Sequence, residues 1–160
     1  MMKLKVLQKI ADSGPVLRVR AEGSEQAARI AEACAEGGVA AIEIAFTVPC
    51  AANVIRDLAQ RFTTNELLIG AGTVLDPETA RVATLSGAQF VVSPTLNPET
   101  ARLSNRHQVP YIPGASTLKE VIEGMECGAD IVVFPAETLG RAFVKAVRGP
   151  LPKQALPGKT

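Results

Sequence analysis

"GGVAAIEIAFTVP" (residues 37–49) reads as a strand with almost no polar face. Val39, Ala41, Ile42, Ile44, Ala45 and Phe46 leave neither side of a pleated strand for water. A strand of that kind belongs in a parallel sheet covered by helices. Glu43 alone breaks the run. An ionised carboxylate among such neighbours is costly unless it is paired, shifted in pKa, or used. Two readings stand side by side: a carboxylate satisfied by a buried Arg or Lys, or an acid/base in a pocket whose apolar neighbours raise its pKa.

Outward from this stretch the same unit recurs. Short apolar runs begin near Val16 (VLRV), Leu67 (LLIG), Ala88 (AQFVVS), Val109 (VPYI) and Ala129 (ADIVVF). The spacing of these starts, roughly 20 to 28 residues, fits one strand, one helix and two short loops. Helical patterns fill the intervals. "SEQAARIAEACAEGG" opens on Ser24 as a cap candidate and closes on Gly37–Gly38. "DPETARVATLSG" and "NPETARLSNRH" each carry Pro in the first turn behind Asp76 or Asn97. "STLKEVIEGMECG" runs from Ser116 to Gly128, and "TLGRAFVKAVRG" is a last helix. "MMKLKVLQKIADSG" spaces Leu4, Leu7 and Ile10 as a short amphipathic helix, without a signal-peptide core.

A doubly wound open sheet and a (β/α)8 barrel both satisfy this alternation. Thr47, Thr73, Ser93, Gly114 and Phe134–Pro135 fall at or just beyond strand ends. Such a common C-terminal rim favours the α/β TIM barrel. At about 23 residues per unit, eight units need roughly 185 residues. The chain has 160. The expectation is a single barrel domain over residues 1–160 with about six βα units, strand order 1-2-3-4-5-6, apparently lacking the last two strands. Open sheet edges of that kind predict either self-association or further strands beyond this sequence.

Composition excludes several classes. With 47% hydrophobic and 21% charged residues and a net charge of +1, the chain reads as a soluble globular domain. One Tyr, no Trp and five Phe, without a basic patch, give no footprint for nucleic acid. No apolar run reaches the length that spans a bilayer. Cys34, Cys50 and Cys127 are far apart and read as small buried residues in a reducing cytoplasm. His107, the single histidine, reads as a solvated residue near a helix end, so a histidine-ligated metal is not expected. "LLIGAGTVLDPE" (67–78) is neither a dinucleotide fingerprint nor a P-loop. It reads as a tight glycine turn, or as one whose Thr73 holds a substrate carboxylate. The terminal "PGKT" (157–160) has Lys153 where a Walker motif needs glycine, and is rejected.

The ordered motifs "EGGVAAIEIAFTVP", "LLIGAGTVLDPE", "GAQFVVSPTLNPE", "VPYIPGASTLKEV" and "GADIVVFPAETLG" resemble the 2-keto-3-deoxy-6-phosphogluconate (KDPG) and 4-hydroxy-2-oxoglutarate aldolases. The resemblance covers about residues 4 to 152. It implies a (β/α)8 barrel, usually a homotrimer, and a lyase that cleaves a keto acid through a lysine Schiff base. The phosphorylated substrate would yield pyruvate and glyceraldehyde 3-phosphate; 4-hydroxy-2-oxoglutarate would yield pyruvate and glyoxylate. No metal or organic cofactor is implied. By the same resemblance Glu43 is the general acid/base, and Arg20, Thr47, Thr73, Pro94 and Phe134 bind substrate.

Two departures accompany the match. The resemblance implies a Schiff-base lysine on strand six, expected between Val132 and Val133, but "GADIVVFPAE" is one residue shorter and has none. Lys119 and Lys145 sit on helical stretches and do not replace it. Either a lysine carrying a covalent adduct is missing from the string, or the residue is deleted. A deletion would turn Phe134 to the opposite face, because the strand period is two. The family's strand-seven phosphate loop has no counterpart in "GPLPKQALPGKT". A catalytically inactive barrel remnant with a structural or interaction role is therefore the alternative to an aldolase.

Overall fold

A computed structural model describes residues 2–133 and 135–151, with the backbone alone at residue 136. Helix α1 (Met2–Ser13) leads into five strands, β1 (Val16–Val19), β2 (Ala41–Ala45), β3 (Leu68–Gly72), β4 (Val91–Ser93) and β5 (Tyr111–Pro113). Between and after them lie α2 (Ser24–Glu36), α3 (Ala51–Arg61), α4 (Pro77–Leu85), α5 (Pro98–Arg106), α6 (Leu118–Glu126) and α7 (Ala136–Arg148). All neighbouring strands are parallel, in the order β1-β2-β3-β4-β5.

That order decides between the two architectures. A doubly wound sheet reverses its strand order and carries helices on both faces. Here the order never reverses. Ala27 and Ala31 of α2, Val54, Ile55 and Leu58 of α3, Ala80 and Ala83 of α4 and Ala101 of α5 all join one cluster. They pack on Ile42, Ile44, Ile69, Ala71, Val91 and Tyr111, the outer face of the sheet. The opposite face carries Ala41, Leu68, Phe90, Val92 and Ile112, capped from the strand N-terminal end by Val6 and Ile10 of α1. Helices outside, side chains inside: this is the barrel arrangement expected from the sequence.

Among the described residues the sixth expected strand is reduced to a single bridge. Val133 pairs with Gly114 in parallel. Its N–H donates to the Pro113 carbonyl (3.0 Å), and its own carbonyl accepts from the Ala115 N–H (2.9 Å). Ile131 packs against the inner cluster and Val132 against the helical cluster of Ala115, Val121 and Val147. That alternation gives Val133 the inward register position. Pairing is this sparse because Pro113 and Pro135 flank the bridge, and proline cannot donate to a ladder.

Helix ends follow side-chain chemistry. Asp76 and Asn97 cap α4 and α5 as expected, accepting from the N–H groups of Thr79 (2.6 Å) and Thr100 (2.9 Å). At α6 the cap is Thr117 rather than Ser116, because Glu120 closes a capping box with it. Ser24 begins α2 inside the helix, with Gly23 at the cap. The cysteines are free; Cys34 and Cys127 are half-buried and Cys50 is exposed rather than buried.

Two lysines fasten α1 beneath the sheet. Lys3 Nζ bonds Asn105 Oδ1 (2.8 Å) and pairs with Asp130 Oδ2 (3.0 Å). Asp130 Oδ2 in turn accepts from the Tyr111 N–H. Lys9 Nζ bonds the carbonyls of Thr64 (2.7 Å) and Asn65 (2.8 Å), and burial pulls its pKa down.

On α5 the polar Oγ1 of Thr100 and Oγ of Ser104 are buried without a hydrogen-bond partner among the described residues. Asn97→Ala should therefore cost about 1 kcal/mol through the lost cap. Thr100→Val removes an unsatisfied buried hydroxyl and should leave stability equal or higher. Urea unfolding midpoints of the two variants check both signs.

Candidate active site

Glu43 lies mid-strand on β2 and is 4% exposed. Its inward neighbours are glycines. The β2–β3 register sets Glu43 beside Gly70 and Ala45 beside Gly72. A Cβ on Gly70 would collide with the Phe90 ring, and a Cβ on Gly72 would stand 2.7 Å from Glu43 Cδ and Oε1. The Glu43 carboxyl thus leans one layer up from its own Cα, toward the C-terminal rim, into space that only glycine leaves.

Its charge is met by Arg18 of β1. The two residues are register partners on adjacent strands. Arg18 Nε donates to Glu43 Oε1 at 2.6 Å, and the side chains are 50% and 5% exposed. Of the two sequence readings of Glu43, the structure thus provides the paired one, yet with a partner that remains half in solvent. The ion pair offsets the cost of burying the carboxylate without sealing it from the interior space.

The other expected site residues fall as follows. Thr73 directly follows β3, half-buried, with a left-handed φ of 57°. Pro94 directly follows β4 and is exposed; its backbone lies against Gly114, where a side chain would not fit. Thr47 follows β2 and is exposed. Because the strands are parallel, all three stand on the same C-terminal rim. Arg20 lies beyond the end of β1, exposed, and forms no ion pair with Glu43. Phe134 lies outside the described residues. The rim after β4 is braced from behind: the Tyr111 hydroxyl donates to the Thr95 carbonyl (3.3 Å) and accepts from the Asn97 N–H (3.1 Å). Burial pushes the Tyr111 phenol up.

Sequence reasoning passed over Arg18, and the signal was available. Arg18 lies on β1 and Arg20 just beyond its end, two residues on; the resemblance points to Arg20, whereas period-two alternation gives Arg18 the same face. A groove of about 410 Å³ between α2 and α3, lined by Arg29, Glu32, Asp57 and Arg61, lies on the helical side, away from Glu43.

Residues 6–157 match the family described as KDPG and KHG aldolase. The chain belongs to that aldolase family. It is 36% identical over 146 residues to the KHG/KDPG aldolase of Escherichia coli K12, covering 89% of this chain and 68% of that protein. To the 2-dehydro-3-deoxy-phosphogluconate aldolase of Treponema pallidum it is 40% identical over 134 residues, 82% of this chain and 63% of that one. Among solved structures, it resembles KDPG aldolase from Legionella pneumophila, with pyruvate captured as a covalent carbinolamine intermediate. That likeness has a TM-score of 0.83 and 30% identity, and covers 92% of this chain and 71% of the other. The chain spans about two thirds of the length of such relatives. These findings bear out the expected family and barrel fold, and they favour a carbon–carbon lyase over a non-enzymatic remnant.

The surroundings of Glu43 have one further property, the tight fit of Gly72 against its carboxyl group. Gly72→Ala should cost about 1–3 kcal/mol by overpacking. In a Glu43→Ala background the same substitution should cost much less, and a double-mutant cycle of unfolding free energies measures the difference.

Proposed function

We propose that the chain is a class I aldolase that cleaves KDPG to pyruvate and glyceraldehyde 3-phosphate, and 4-hydroxy-2-oxoglutarate to pyruvate and glyoxylate. The observation that carries this reading is a buried carboxylate, Glu43, leaning toward the C-terminal rim of a family-matched barrel. In this chemistry an amine attacks the substrate carbonyl, water leaves, and the C3–C4 bond breaks as the C4 hydroxyl loses its proton. Glu43 is the group that takes that proton and returns one to the enamine carbon, after which water adds back to the imine and frees pyruvate and the amine. Thr73, Thr47, Arg20, Pro94 and Phe134 are the substrate-binding residues of this reading.

The amine is the component that the described residues do not place beside Glu43. Lys3 is engaged by Asp130 and Asn105, Lys9 by two carbonyls, and Lys5 is exposed on α1. Lys119 sits beside Glu123 on α6, and Lys145 lies on α7. At the place where a strand-six lysine is expected, Val133 holds the inward position. Borohydride reduction in the presence of pyruvate, followed by intact mass, looks for the amine directly. A stable adduct with pyruvate release from KDPG supports the reading; neither adduct nor release replaces it with the remnant. Val133→Lys supplies an inward amine and should yield the adduct whichever result the natural chain gives.

We also read the protein as a cytoplasmic homotrimer. Among the described residues no helix is long and apolar enough to cross a membrane, and the thiols are free. The β1 edge of the sheet leaves backbone groups that an assembly would cover. Light scattering of the purified chain should give three copies.

In an active preparation, Glu43→Gln keeps volume and loses the proton shuttle. Turnover should fall about 10²–10⁴-fold with the fold intact by circular dichroism. Near-normal turnover would return Glu43 to the role of a satisfied buried carboxylate.

A further inference from the structure

The Arg18 guanidinium is only partly used. Its Nε is committed to Glu43 Oε1 at 2.6 Å, while neither Nη has a hydrogen-bond partner among the described residues. The side chain is half exposed although its partner is buried, so the unspent edge of the guanidinium faces reachable space. Guanidinium edges match the two oxygens of a carboxylate in a fork geometry, which lysine does not reproduce. Arg18 is the cation bonded to Glu43. Of the expected rim residues that the structure describes, Arg20 beyond β1 is the other cation; threonines stand at 47 and 73 and proline at 94. Two cations of α1, Lys3 and Lys9, are held at the opposite end of the strands.

The geometry points to Arg18 as the anchor for the carboxylate of a 2-oxo acid, its free Nη donors binding the ligand while its Nε holds Glu43 in place. This rests on the keto-acid reading above. It makes one side chain serve both ligand and acid/base. Arg18 then fixes the distance between the bound carboxylate and the Glu43 oxygens, since both hang from one planar group. It also selects for the charged acid over its neutral analogues.

The probes are pyruvate and its uncharged methyl ester, titrated into the full chain and followed by ligand-observed NMR without any turnover. The natural chain should bind pyruvate at least tenfold more tightly than the ester, about 1.4 kcal/mol. Arg18→Gln should abolish that preference, Arg18→Lys should keep part of it, and Arg29→Gln on α2 should leave it intact. If Arg18→Gln does not fold, the Arg18→Gln/Glu43→Gln pair, which buries no unmatched charge, replaces it. Equal binding of acid and ester by the natural chain, or a preference that survives in Arg18→Gln, overturns the inference. So does a loss confined to Arg20→Gln. A chain that shows the Arg18-dependent preference but no adduct and no pyruvate release loses the lyase reading and keeps this one.

Discussion

The ion pair between Glu43 and Arg18 constrains more of this structure than any other contact. A buried carboxylate has to be matched, and the match must come from the neighbouring strand at the same level of the barrel. That fixes the β1–β2 register. It also demands space on the other side, so β3 carries glycine at the position where any Cβ would strike the carboxyl group. Gly70, one layer below, makes room in the same way for Phe90. The inner face is thus laid out as charge above and aromatic packing below, with the two glycines of β3 letting each layer reach across.

Most of this fold was legible in the sequence. Strand runs, proline-led helices and the Asp76 and Asn97 caps are local signals, and local physics decides them. What required the third dimension was pairing. "ADIVVF" has the composition of a strand, yet among its described residues Val133 alone forms a bridge, because composition reports side chains whereas a ladder needs backbone donors and a partner long enough to accept them. Likewise Thr117 displaced Ser116 as a cap because a side chain three residues on, Glu120, could close the box with one and not the other.

The site was half legible. Glu43 stood out because a lone charge in an apolar run violates a rule that any reader can apply. Arg18 did not, since an arginine in "VLRV" reads equally well as an edge-strand charge facing water. Choosing between Arg18 and Arg20 depends on how far along β1 the level of Glu43 falls, and that register is set by the whole sheet rather than by either strand.

The anchoring of α1 by Lys3 and Lys9 has a consequence for the order of events in folding. Lys3 reaches Asn105 across a sequence separation of 102 residues, and Val6 and Ile10 bury against residues from four different strands. The helix precedes all five strands in the chain, yet the surface it covers does not exist until β5 has been made. Contacts of such long range carry a large loop-closure cost and form late. During synthesis the apolar stripe of α1 therefore waits uncovered while the units behind it assemble, and a helix made before the whole sheet is among the last elements to find its place.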